Sequence, residues 1–492
     1  MKNNKTEWSL VVQRVTETRA DIWVGNLFSG GKLPFQAKLE IVMVGNESEI
    51  AAASQIISVD EWQRPFRRLS ERFYKLCRFE NLSAHKKYHI IFSTQCESIS
   101  SPWEVLLQAT FSTLPKSLPA QGEKPFTIAL GSCFSNADDD GRVAAAYAAL
   151  YDSGDENFRP DVTFLVGDQV YLDIGFASLV PFSNFIRSRA ANHYANNWQA
   201  LSNIFTRGGT WMLPDDHEYW NDYPFNDVNI LALKALKIPS VRDTWEKVAN
   251  DGVNNIQSAR MLEIITIGDD LSICLANFRS QRTRKKFMPD AEFTELLNWA
   301  NNLRCPGVLV TSQMLLDAPS EGERNLPSFA EQYAHLIEAL AASGNDILVL
   351  SGDVHFGRIA NVKLGTKGAT LTEIVSSPLS NLKGWLNGFA SDVAGNNPES
   401  FPGGIPANAP SESLVKVNYD DAYKVSHQKG TYFSAHPKDR SDEHFMTIGF
   451  NRVDAGEIEL TVQAWHVRNC DSVSGLPGPG FKSIYSARLQ RH

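Results

Sequence analysis

The sequence predicts an α/β domain preceded by a small all-β sandwich. Before residue 113 the apolar runs are short, β-like and separated by polar turns; after residue 126 short apolar strands alternate with helical runs, as in a layered α/β domain. A third observation locates a site: four of the later strands end in side chains able to bind a metal ion.

With 492 residues, 43% of them hydrophobic, the chain is long enough for two domains with separate cores. The boundaries expected are a sandwich over 1–113, a linker over 114–125 and a catalytic domain over 126–492. A net charge of -9 argues against nucleic-acid or anionic-membrane binding, which depends on clustered Lys and Arg. A small anionic substrate would then need local positive charge, such as a metal ion. Six cysteines without CxxC spacing suit reduced thiols. The basic start MKNNK leads only to the brief run Leu10–Val12, too short for a secretory core, and no stretch approaches a membrane span, so a cytoplasmic location is expected.

In the first part, Ser9–Val15, Ala20–Gly25, Phe35–Val44, Arg72–Phe79 and Lys87–Thr94 read as strands. Trp23, on an alternating strand, is expected in the sandwich core. The segment from Leu82 to Phe92, with Tyr88 starting its strand, resembles the turn and strand of fibronectin type III and related immunoglobulin-like domains, in which a tyrosine hydroxyl bonds back to the preceding corner. Leu114–Pro125, with three prolines, reads as the linker.

Phe126–Leu130 is the first strand of the second part, ending in Gly131-Ser132-Cys133. Asp138–Asp140 would cap the helix Arg142–Tyr151. The strand Asp161–Val166 stops at Gly167 and is followed at once by Asp168, with Tyr171 three residues on. Asn184–Phe205 reads as helix, and the strand Gly209–Leu213 ends in Pro214-Asp215-Asp216-His217-Glu218. A helical pattern over Ala232–Ala249 breaks at Pro239, a hairpin spans Met261–Ala276, and the basic stretch Arg279–Lys286 follows. After the unit Gly307–Leu315 and helix Phe329–Ala342, the strand Asp346–Leu350 ends in Asp353-Val354-His355. Asn387–Ala409 reads as a surface loop, and Phe445–Val453 with Glu457–Val467 as a closing hairpin.

The carboxyl ends of strands in open α/β sheets form the ligand crevice, so Cys133, Asp168, the Asp215-Asp216-His217 run and Asp353/His355 can converge though far apart in sequence. A thiolate and a phenolate suit an ion acid enough to deprotonate them, as ferric iron is; carboxylate and amide oxygens suit Ca²⁺, Mg²⁺ or Mn²⁺. Two ions about 3.5–4 Å apart can clamp a phosphate and lower the pKa of a bound water toward about 7, a route to phosphate-ester hydrolysis.

GSCF at Gly131, GDQVYLD at Gly167, PDDHEYWND at Pro214, NFRS at Asn277, SGDVH at Ser351 and EIVSSPLS at Glu373 resemble, in that order, the PhoD-like alkaline phosphatase and phosphodiesterase family of calcineurin-like metallophosphatases. The sandwich also looks like that family's leading domain. The resemblance implies a four-layer αββα catalytic fold, Fe³⁺, and a second divalent ion, calcium foremost with magnesium or manganese as alternatives. It makes Cys133, Tyr171 and His355 iron ligands with Asp168 bridging, and gives the second ion to Asp353. Asp216 and Asn221 both offer an oxygen to that ion, and the choice stays open. His217 would face the leaving oxygen as proton donor or electrostatic stabiliser, Asp215 would orient its ring, and Arg279 would grip the phosphate oxygens with both arms. Asn277 departs from the family pattern, where an acidic residue is expected.

Taken singly, these residues have ordinary explanations: a buried thiol, a core tyrosine, turn aspartates. Arg284, Lys285 and Lys286 read as a solvated face; Trp211, Tyr219 and Trp220 wall a pocket or pack; Ser376 and Ser377 are structural or support the site's ligands from behind. The ordered set implies a phosphoric ester hydrolase acting on a small phosphate ester. The alternatives are a silent scaffold with a vestigial site and a two-ion hydrolase for phospholipid or nucleotide esters.

Overall fold

The computed structural model describes residues 7–45, 49–173, 182–227, 231–319, 324–366, 368–380, 397–402, 414–425, 442–454 and 456–491. The first strands are β1 (Trp8–Val15), β2 (Ala20–Asn26), β3 (Gln36–Val44), β4 (Glu49–Ser58), β5 (Phe73–Phe79), β6 (Lys87–Gln95) and β7 (Glu104–Ser112). They form two antiparallel sheets, ordered β1-β2-β5 and β4-β3-β6-β7. β4 and β7, unexpected from sequence, are the edges of the second sheet. There half the strand meets solvent, and Ile56 and Val105 lie 51% and 54% exposed, which spoils the alternation that marks a strand.

Tyr88 makes the corner bond: its hydroxyl accepts from the Ser83 N–H at 2.8 Å. Trp23 does not fill the sandwich. Its neighbours Ile22 and Val24 point between the sheets, so Trp23 takes the opposite face, where it is fully buried against the helical layer and donates Nε1–H to the Asn255 carbonyl at 2.9 Å. The segment after β7 is packed as well: Leu114 and Leu118 are buried, and the Leu118 N–H donates to Asp270.

The rest of the chain contributes strands β8 (Phe126–Gly131), β9 (Val162–Val166), β10 (Gly209–Leu213), β11 (Leu262–Ile267), β12 (Leu271–Ala276), β13 (Gly307–Val310), β14 (Ile347–Ser351), β15 (Gly357–Lys363), β16 (Thr370–Val375), β17 (Ser400–Phe401), β18 (Val415–Lys416), β19 (Asn418–Val425), β20 (His444–Asp454), β21 (Glu457–Cys470), β22 (Pro477–Pro479) and β23 (Tyr485–Gln490). The helices are α1 (Asn136–Asp139), α2 (Arg142–Ser153), α3 (Ser183–Ala200), α4 (Ser202–Phe205), α5 (Pro239–Gly252), α6 (Asp290–Asn301) and α7 (Ala330–Ser343). Pro239 starts α5 at a position where its missing N–H costs nothing, and Asp139 anchors α2 by accepting the Val143 N–H at 2.9 Å.

One mixed sheet runs β10-β9-β8-β20-β21-β22 with β23 also on β21; the other runs β11-β12-β13-β14-β16-β15-β19. β8, β9 and β10 pair in parallel, as do β12, β13, β14 and β16, and their residues are buried on both faces. Alternate residues say what lies on each side. Ile128, Phe164, Val308 and Leu350 meet in the core between the sheets, Leu165 and Met212 pack on α2, α3 and α5, and Leu309 and Val349 pack on α6 and α7. The order is therefore helix, sheet, sheet, helix. Most of the expected loop Asn387–Ala409 lies outside the described residues. Among the described residues no helix is long and apolar enough to cross a membrane.

Candidate metal centre

Parallel pairing brings the carboxyl ends of β8, β9 and β10 side by side, and β14 delivers a fourth end from the facing sheet. Each chain then turns sharply. Cys133, Asp168, Asp353 and His355 all have left-handed backbone, with φ of 57°, 57°, 72° and 56°, a conformation that non-glycine residues hold only when the surroundings impose it. Gly167 permits a close approach: a Cβ there would stand 2.7 Å from Cβ of Asp215.

Two clusters of donor atoms result, each with all its atoms within 4.8 Å of one another: Asp168, Asp216 and His217, and Asp215, Asp216 and Asp353. Asp216 belongs to both. Around Asp168 Oδ2 stand Cys133 Sγ at 3.5 Å and the Tyr171 hydroxyl at 3.3 Å; Cys133 Sγ also lies 3.3 Å from the Asp353 carbonyl. His355 stands outside both clusters, its N–H held by Ser377 Oγ at 3.1 Å. Asn221 turns its amide nitrogen to Asp222 at 2.8 Å, which leaves its amide oxygen as the donor atom.

Two expectations are corrected. Asp215 does not orient His217. The His217 Nδ1 is 2.8 Å from Asp173 Oδ1, while Asp215, in the next turn of backbone, receives Arg279 Nε at 2.5 Å and Ser312 Oγ at 3.2 Å. Arg279 in turn does not present both arms to a phosphate: it is 1% exposed, with Nε on Asp215 and Nη1 on the Tyr223 carbonyl at 3.0 Å. A buried carboxylate is stabilised by a buried cation, and Arg279 supplies it here. Asn277 is a turn residue, its Oδ1 accepting the N–H groups of Arg279 and Ser280.

Residues that sequence reasoning passed over hold the site together. The Glu218 carboxylate accepts the N–H groups of Asp168, Gln169 and Asp215 and the Gln257 amide, at 2.7–3.0 Å, so one side chain ties the ends of β9 and β10 to the segment after α5. Its spacing from Asp215 is the D-x-x-E of a capping box, a signal present in the sequence. Asp173, five residues after Asp168, also accepts the Asn221 N–H at 2.9 Å. Trp211 and Trp220 are core residues, and Ser376, fully buried, donates to the Leu130 carbonyl.

The electrostatics follow from crowding acids in a dry place. Burial pushes the Asp168 carboxyl well above the usual range against the pull of His217, with Asp216, Asp215 and Glu218 pushing further. Burial pushes Glu218 up to about 7 despite its backbone donors. Asp216 moves the other way: burial raises it, but His217, Arg279 and the Asp222 N–H outweigh that. For His217 burial opposes the charge, yet Asp173, Asp216 and Asp168 lift it well above the ordinary histidine value. Burial, reinforced by the neighbouring acids, holds the Cys133 thiol and Tyr171 phenol protonated. Four aspartates gathered with a thiol and a phenol fit cations: positive charge at the clusters would relieve the repulsion and release those protons.

No family model matches the chain, and no curated protein matches it. Its fold is similar to the solved structure of PhoD, with a TM-score of 0.62 at 13% identity over 98% of this chain and 90% of that one. It is also similar to the purple acid phosphatase PPD1 from seeds of yellow lupin (Lupinus luteus), with a TM-score of 0.53 at 10% identity over 98% and 74% of the two chains. The chain shares the fold of these two solved structures.

Proposed function

We propose that this protein is a metal-dependent hydrolase of small phosphate esters. The observation that carries the proposal is the gathering of the carboxylates of Asp168, Asp215, Asp216 and Asp353 from three strand ends into two overlapping clusters, with His217 beside them. The fold it shares with PhoD and a purple acid phosphatase supports the same chemistry. Cys133, Tyr171 and His355 would hold a ferric ion with Asp168 shared; Asp353, with Asp216 or the Asn221 amide oxygen, would hold a second, oxygen-loving ion, for which calcium is the first choice and magnesium or manganese the alternatives. Such ions supply Lewis-acid polarisation of a phosphoryl oxygen and of an attacking water.

The protein's own groups do the rest. His217, kept protonated by Asp173 and the neighbouring acids, gives a proton or a hydrogen bond to the departing oxygen. Arg279 neutralises Asp215 and so keeps that wall of the site from repelling an anion. Glu218 holds the backbone of the loops at the ends of β9 and β10, keeping Asp168 and Asp216 in register.

The test is elemental analysis of protein purified without added metal, combined with turnover of p-nitrophenyl phosphate and bis(p-nitrophenyl) phosphate. Iron in the protein, a visible phenolate-to-iron band lost in Tyr171→Phe, and turnover lost in Asp168→Asn are the expected results. Full turnover by metal-free protein would overturn the proposal, and absence of turnover from metal-loaded protein would favour a scaffold.

A further inference from the structure

Arg282 is 3% exposed and has no carboxylate partner: its ion pairs within 4.0 Å among the described residues number none. Its guanidinium donates instead to the Phe278 carbonyl at 2.9 Å, the Arg324 carbonyl at 3.1 Å and Gln313 Oε1 at 2.6 Å, and stacks 5.1 Å from the ring of Phe329. A buried, unpaired charge is costly, so its retention points to a field it balances. Gln313 shows which. It is 3% exposed, and its other amide atom, Nε2, donates to Asp353 Oδ2 at 3.3 Å.

The chemistry of the three groups makes this orientation one-way. A guanidinium has only donors, so the amide oxygen must face Arg282; the NH₂ group then faces Asp353, which as a carboxylate only accepts. Reversing the amide would set donor against donor at one end and acceptor against acceptor at the other. Gln313 follows the end of β13 and Arg282 lies in the loop after β12, so the two are positioned by parallel neighbours in the sheet whose strand β14 leads into Asp353.

We infer that Arg282 and Gln313 form a positioning relay for the second ion: Arg282 locks the Gln313 amide, and Gln313 fixes the carboxylate of Asp353 in the rotation at which it shares a site with Asp215 and Asp216. The relay rests on the two-ion reading of the site. It assigns both residues a role through Asp353, without contact with substrate.

The test is a double-mutant cycle read by calorimetric titration of Ca²⁺, Mg²⁺ and Mn²⁺ into the full-length protein, with circular dichroism confirming each variant's fold. Gln313→Ala is expected to weaken binding of the second ion by about 10–100-fold, the usual effect of removing a partner that orients a metal ligand, with iron content unchanged. Arg282→Met is expected to weaken it similarly in the wild-type background and to have no added effect beside Gln313→Ala, because the relay passes through Gln313. Wild-type affinity in Gln313→Ala would overturn the inference, as would independent, multiplying losses from the two changes. If Arg282→Met does not fold, the Gln313→Ala arm decides alone. A wild-type protein that takes no divalent ion overturns both the relay and the two-ion reading. One that binds the ion with the stated cycle but turns over no phosphate ester overturns the function and supports the relay.

Discussion

His217 is paired with Asp173, Nδ1 to Oδ1 at 2.8 Å, whereas Asp215, two residues before it in the chain, is paired with Arg279. The two carboxylates therefore have separable effects. Asp173→Asn should lower kcat for an alkyl phosphodiester on the order of 10²-fold, the contribution of a positioned proton donor. The loss should be smaller for the nitrophenyl ester, whose leaving anion needs little protonation. Steady-state kinetics on both esters checks this, and equal losses would remove His217 from the role of proton donor.

The Asp215 pair should show in stability. Both side chains are buried, at 0% and 1% exposure, so Arg279→Met leaves an uncompensated carboxylate and should cost about 3–5 kcal/mol in urea denaturation of the metal-free protein. Adding Asp215→Asn should restore part of that loss. If the double variant is less stable than Arg279→Met alone, the pair is not what Arg279 is there for.

Glu218 receives several N–H donors, and an amide in its place would aim a donor of its own at one of them. Glu218→Gln is expected to lose about 1.5–3 kcal/mol of stability, the scale of a hydrogen bond to a charged group. It should also weaken metal binding, since Asp168 and Asp215 hang on the same carboxylate. Denaturation and metal titration of this variant are the measurements.

His444 is fully buried at the start of β20, with Nδ1 on the Asp442 carbonyl at 2.8 Å and no partner for Nε2 among the described residues. Burial pushes it down to about 3. The unfolded chain thus takes up a proton near pH 6.5 that the folded chain refuses. Stability from this group is full above that pH and falls as the pH drops toward about 3, at up to about 1.4 kcal/mol per unit. His444→Asn, which keeps a donor near the Nδ1 position, should flatten the slope of urea midpoint against pH between 5 and 7. An unchanged slope would assign the pH dependence to other groups.

The core of the α/β part was legible because it is local: β8, β9, β10, β12 and β14 are buried on both faces and appear as apolar runs stopped by glycine or a polar residue. The edge strands β4 and β7 were not, since exposed Ile56 and Val105 break the period that burial writes into a sequence. Trp23 shows the limit of periodicity more sharply. Alternation says that successive side chains take opposite faces, but both faces of β2 are covered, one by the facing sheet and one by helices, and only the packing of the whole chain reveals the second cover.

The sequence by itself determined which polar side chains stand at the strand ends, because the glycine, serine or proline that stops each strand and the residues that follow are neighbours along the chain. Tertiary structure decided which of them meet. Left-handed turns at Cys133, Asp168, Asp353 and His355, and the register of strands from two facing sheets, select Asp173 for His217, Arg279 for Asp215 and Gln313 for Asp353. The physical reason is that burial favours the packing in which a charged group meets a hydrogen-bond or ion-pair partner, while chain spacing says nothing about distances across a sheet.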